Sequence, residues 1–377
     1  MFAISDSEEF DYFAVAYSLL AFAGCMTLLG SFPGSFLLPE YQAAILAAGS
    51  CLFDASSLIF AVFNPLNNNF PDVFSRKNLF LGYSVVALVL YGSMILCWWQ
   101  LERHDWKAVV DAEAAAAKAK DDDESDDEDN DKQAKQLEGS PTGSKEGTMS
   151  SIQKHLLRVK KMGLHEMPLE KQIRTFEFAL VLLFVSFHML RTNFLIESVN
   201  EVVATYGDDD GFYAKVFGFV LPAGVAFIPF IEYTISKFGV VASLDVTNVL
   251  GVVWGTLLLI PCLPLQAFNF FIFTGFRAYL YSTLSNFIAM TFGVATMGRV
   301  IGFSFTTSAI FTLLQYPAAS YAEDGPGPEF TAVNSVSLGL CLIPVALVYY
   351  YKSLLTAGAK QSINDKTAVA SETTALL

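Results

Sequence analysis

Charged side chains make up only 16% of this 377-residue chain and histidine occurs four times, whereas apolar residues account for 53%. Soluble domains carry roughly a quarter charged residues, so no single water-surrounded core matches this balance. Cysteine is also sparse. Cys25, Cys51, Cys97, Cys262 and Cys341 lie within or at the end of apolar stretches, and no two have metal-ligand spacing, which leaves them as small packing residues rather than a zinc set. The sequence has no G-x-S-x-G, no P-loop, no H-E-x-x-H and no dinucleotide fingerprint. The chain is therefore not expected to be an enzyme, to hold a metal or nucleotide cofactor, or to bind nucleic acid. The first apolar stretch lacks the basic lead of a cleavable signal, since Ser5 to Asp11 reads SDSEEFD, and it counts as a genuine span.

What is abundant is the apolar window of about 20 residues, the length at which a helix rising 1.5 Å per residue crosses ~30 Å of hydrocarbon. Nine occur, near 12–32, 41–63, 79–99, 176–196, 214–236, 240–264, 266–291, 300–322 and 333–355. They predict an all-α polytopic membrane bundle. The hydrophilic stretch from Gln100 to Arg174 divides them into three and six, giving a partial N-terminal bundle over 1–99, a loop over 100–173, a six-helix bundle over 174–355 and a tail over 356–377. Within the loop, 121–149 is acidic and nearly without large apolar residues, so it cannot offset its chain entropy and is expected to be disordered. Ile152–Met162 sets Ile152, Leu156, Leu157 and Val159 among basic residues and is expected to lie on the membrane surface.

Most of the net charge of −14 comes from Asp121 to Asp131 and says nothing about substrate. Arg103 and Lys107 follow the third window, and Lys154 to Arg174 precede the fourth, so the positive-inside rule puts the long loop and the C-terminus in the cytoplasm. Three plus six spans also fit a transporter of two six-helix halves joined by one long loop, with three spans missing.

Ionisable groups within spans are costly and mark function or packing. In the second window Ser50, Asp54 and Ser57 fall at i, i+4 and i+7, on one predicted helical face. In the seventh, Thr274, Arg277, Tyr281 and Ser285 form a stripe whose guanidinium is suited to clamp a carboxylate. The fourth carries Arg191 and Thr192 in its outer half, with Asn193, Glu197 and Asn200 following. In the eighth, Gln315 and Pro317 interrupt the apolar run, and the proline frees a backbone carbonyl. Internal ion pairs, Asp54 with Arg277 or Glu197 with Arg191, are the structural alternative to substrate contact. His188 is more readily a packed neutral side chain than a proton carrier. The ending Glu372–Leu377 matches an acidic dileucine sorting pattern for endolysosomal or vacuolar membranes, as against the plasma membrane, and Ser125 before Asp126 fits an acidophilic kinase site.

Several segments carry a family resemblance. Met189-Leu190-Arg191-Thr192-Asn193-Phe194, Phe217 to Pro222 leading to Phe227-Ile228-Pro229-Phe230, and Leu313-Leu314-Gln315-Tyr316-Pro317 resemble solute carrier family 43 of the major facilitator superfamily. Phe53-Asp54-Ala55-Ser56-Ser57 and Pro168 to Arg174 resemble it too. The resemblance implies that the nine windows correspond to helices four to twelve of a twelve-helix carrier. It also implies sodium-independent facilitation of large neutral amino acids or equilibrative transport of purine nucleobases. An amino acid would want Arg277 and Arg191 for its carboxylate and Asp54 for its amine; a nucleobase would want Asn286, Gln315 or Ser57. The remaining alternative is a membrane scaffold that transports nothing and whose acidic loop binds a cytosolic partner.

Overall fold

The computed structural model describes residues 12–38, 41–56, 58–103, 150–324 and 330–375, and among these every regular element is a helix. The acidic stretch 121–149 with Ser125, and the final two leucines, lie outside the described residues. The chain forms two compact units, one of residues 1–16 with 63–148 and the other of 17–62 with 149–377.

The first unit is built on α4 (Arg76–Arg103), apolar on all sides from Leu79 to Cys97. A helix without a polar face suits hydrocarbon, not water. Its start is fixed locally: the Ser75 hydroxyl accepts from the Asn78 amide at 3.4 Å and the Asn78 side chain donates to the Val73 carbonyl at 3.0 Å. Phe63 meets Phe80 edge-on at 5.6 Å and Arg76 lies over the Phe13 ring at 5.5 Å.

The second unit begins within α1 (Phe13–Ser31) and includes α2 (Gln42–Ala55) and the start of α3 (Leu58–Asn69). After the loop come α5 (Ser151–Met162) and the single turn α6 (Leu169–Gln172), followed by α7 (Phe176–Thr205). The fifth window is α8 (Phe212–Val220), a 3-10 segment (Leu221–Phe227) and α9 (Ile228–Phe238). Pro222 and Pro229 each remove an amide donor, and the chain tightens between them. Asp208 anchors α8 by accepting from the amides of Phe212, Tyr213 and Ala214 at 2.9, 2.9 and 3.1 Å. Then follow α10 (Val240–Leu258), α11 (Leu263–Phe292), α12 (Val294–Thr312), α13 (Gln315–Asp324), α14 (Phe330–Leu340) and α15 (Leu342–Ala375). The core runs between α7, α10 and α11, with α12 along α7 and α2 against α11, α9 and the 3-10 segment.

All nine windows are helical, and the chain is an all-α polytopic bundle. Among the described residues seven stretches, not nine, are long and apolar enough to cross a membrane: Phe13–Ser31, Arg76–Cys97, Phe176–Thr205, Phe212–Phe238, Val240–Leu258, Ala295–Glu323 and Phe330–Ser362. Two windows fall short for different reasons. The second is broken after Ala55, which leaves α2 and α3 at 14 and 12 residues, each too short to cross alone. The seventh, α11, is long enough but polar, because 20 of its 30 residues are buried and its Gln, Asn, Ser and Thr side chains bond inside the bundle. Hydropathy thus discounts the most enclosed helix. α15 runs 20 residues past its window, to Ala375, so the expected tail is helical for most of its length.

The segment expected on the membrane surface is docked on the bundle. α5 opens with a capping box between Ser150 and Gln153 and ends at Gly163 in the left-handed region. Its inward face is His155 and Val159, with Leu156 left exposed. His155 bonds the Tyr351 hydroxyl at 3.0 Å through Nδ1, and Arg158 forms an ion pair with buried Glu177 at the start of α7. Ile152 presses on Gly239, where a Cβ would come within 2.7 Å of it and where φ is +88°, so only glycine fits this corner. Gln172 closes the turn below by donating to the Leu164 carbonyl at 2.7 Å and the Phe292 carbonyl at 3.3 Å.

Candidate functional site

From Phe273 to Ala289, α11 is buried at every position but two, Arg277 and Tyr281. These are one turn apart, with the guanidinium carbon 5.8 Å from the Tyr281 ring centre. Tyr281 in turn faces Phe305 of α12 at 6.4 Å, so this face looks toward α12. The flanking hydroxyls of the predicted stripe are turned to the backbone: Thr274 donates to the Phe270 carbonyl at 2.9 Å and Ser285 to the Tyr281 carbonyl at 3.0 Å. The part of the stripe that stays partly exposed is a cation and a phenol halfway along a buried helix.

Arg191 has the opposite setting. The helix that carries it extends to Thr205, which places it at mid-helix and not in an outer half. It is 1% exposed. Its Nη2 donates to the Gly251 carbonyl at 2.8 Å and its guanidinium lies 4.6 Å from the Trp254 ring centre, with the Cys341 thiol alongside. Nε and Nη1 make no hydrogen bond, and among the described residues no carboxylate pairs with it. Gly255 makes the position possible, since a Cβ there would come within 2.7 Å of Nη2. Glu197 is exposed on another face of α7, so the Glu197–Arg191 pair is not formed.

One turn before Arg191, His188 is wholly buried, with Phe184 at 4.7 Å and Phe276 at 5.2 Å. The Asn248 amide nitrogen donates to the Pro344 carbonyl at 3.4 Å, which turns the Asn248 oxygen toward His188 Nε2 at 3.0 Å. That oxygen only accepts, so the His188 proton sits on Nε2. The ring is a packing member that joins α7 to α10 and, through Asn248, to α15.

The remaining predicted residues are scattered. Asn193 is half-buried about 200° around α7 from Arg191, so the two do not converge. Gln315 opens α13 with its Oε1 buried and unbonded. The carbonyl that Pro317 leaves without its helical donor, that of Leu313, accepts instead from the Tyr316 amide at 3.2 Å. Asp54 stands in the last turn of α2, whose end at Ala55 breaks the proposed i, i+4, i+7 face; its side chain, and Ser57 altogether, lie outside the described residues. Ser50 donates to the Leu46 carbonyl at 3.0 Å. Sequence reasoning missed Asn248, Gly251, Trp254 and Gly255. The small-residue spacing in Gly251-Val252-Val253-Trp254-Gly255 was the available signal.

These helices and their enclosed polar groups define an integral, polytopic membrane protein. No family model matches the chain and no solved structure resembles it. It is 24% identical over 328 residues to Protein FMP42 of Saccharomyces cerevisiae, a distant relative. The match takes in 81% of this chain, which spans 65% of the yeast protein's length.

Proposed function

We propose that the chain is part of a secondary transporter for small organic solutes, of the solute carrier 43 type within the major facilitator superfamily, working by alternating access. Large neutral amino acids are its solutes, moved down their gradient. The observation that carries this reading is the pair Arg277 and Tyr281, the two positions left uncovered in an otherwise sealed stretch of α11. A guanidinium held there suits a carboxylate bidentately, and the adjacent ring supplies an apolar flank. Asp54 is the proposed partner for the amine. The unbonded amide oxygen of Gln315 favours a second reading, a purine nucleobase, which would donate to it. In this reading the long loop and the C-terminus face the cytoplasm, which the basic residues flanking the loop support.

The test is uptake of leucine, phenylalanine and adenine into liposomes containing the purified protein. Leucine and phenylalanine should enter, Arg277→Ala should abolish entry, and Arg299→Ala, at an exposed position, should not change it. Adenine uptake alone would replace the amino-acid reading with the nucleobase one. No uptake of any of the three would favour a non-transporting scaffold.

A further inference from the structure

The helix that follows the acidic loop has a second face that the bundle does not consume. His155 and Val159 point inward, while Lys154, Arg158 and Lys161 recur at i, i+4 and i+7 along the side. This basic stripe borders a cleft of about 420 Å³ between α5 and the portion of α15 from Leu354 to Gln361. Leu157, Met162 and Leu354 form its apolar walls, and no acidic side chain lines it. α15 keeps the cleft open by presenting the small run Ala357-Gly358-Ala359. Arg158 is already paired with Glu177, but among the described residues no carboxylate pairs with Lys154 or Lys161. The cleft lies at the polar end of the apolar stretch Phe330–Ser362, where a membrane-crossing helix meets the headgroup layer.

We propose that this cleft binds the headgroup of an anionic phospholipid, with the phosphodiester on Lys154 and Lys161 and the glycerol and first acyl carbons against Leu157, Met162 and Leu354. Its volume falls in the range of small-ligand sites, and two unneutralised ammonium groups above an apolar wall match the join between a lipid phosphate and its chains. A free phosphate would use the lysines but leave the apolar wall unfilled. The site is independent of whatever the bundle transports.

Native mass spectrometry of the purified protein, released from bilayers of equal phosphatidylcholine and phosphatidylserine, reads the bound lipid directly. Phosphatidylserine should be retained over phosphatidylcholine, and Lys154→Gln and Lys161→Gln should each lower its retention about fivefold and together about twenty-five-fold, the factor expected per lysine near an anionic headgroup. Gly358→Leu should abolish retention without altering charge; a Cβ there meets nothing within 4 Å, so the fold accommodates the start of the new side chain. Equal retention of both lipids would overturn the proposal, as would unchanged retention in the double lysine variant or in Gly358→Leu. Displacement of the lipid by inorganic phosphate at equal concentration would overturn it in favour of a free-anion site.

Discussion

The two arginines at mid-helix in this bundle are made of the same group and have different fates. Arg191 is sealed against Trp254 and two glycines of α10, whereas Arg277 keeps part of its surface uncovered beside Tyr281. Burial of a cation without a carboxylate is unfavourable unless packing and dipoles hold it, so Arg191 belongs to the joint between α7, α10 and the α14–α15 turn. The small-residue spacing on α10 sets the first case, since glycine at 251 and 255 lets α10 close over the Arg191 guanidinium.

The comparison breaks most visibly at the arginines themselves. Arg191→Ala should destabilise the protein by about 2–5 kcal/mol through the cavity it leaves, and Arg191→Met, of similar length, should recover most of that loss. Arg277→Ala should abolish uptake while the protein still reaches the membrane. Thermal melting and uptake measured on the same preparations decide the matter: normal melting with lost uptake in Arg191→Ala would exchange the two roles. Next is the docking of α5. Burial, with the charges of Arg158 and His165 adding, pushes His155 down to about 4, so undocked α5 takes up a proton that docked α5 does not. Docking is at full strength above pH 6.5 and is lost as pH falls through 6.5 toward 4, by on the order of 3 kcal/mol. Hydrogen exchange of α5 across that range should follow it, and His155→Phe should remove the dependence. Asn248→Leu orphans the His188 proton and should cost about 1–3 kcal/mol in melting experiments. The smallest effect is expected of Tyr281→Phe, which keeps the ring beside Arg277: uptake should change less than about twofold, whereas Tyr281→Leu should lower it several-fold.

The nine helical windows were legible because a run of apolar residues is a one-dimensional signal that needs no partner. The site was legible only in part. Arg277 and Tyr281 share a face by spacing alone, and the guanidinium does lie beside the ring. The setting of Arg191 depends on Gly251, Trp254 and Gly255, some 60 residues away, and no local pattern around Arg191 announces them. The docking of α5 depends on a glycine corner at 239 and on Tyr351, nearly 200 residues beyond His155. In each case the decisive atom lies elsewhere in the chain.

The capped helix that follows the loop has a mechanical consequence. Its bonds to Tyr351 and Glu177 tie it to the body of α15 and the start of α7, and Ile152 wedges it into the corner between α9 and α10. It works like a cable clamp at an instrument housing. Force arriving at Ser150 is spread over α7, α15 and the corner between α9 and α10 before it reaches any single one.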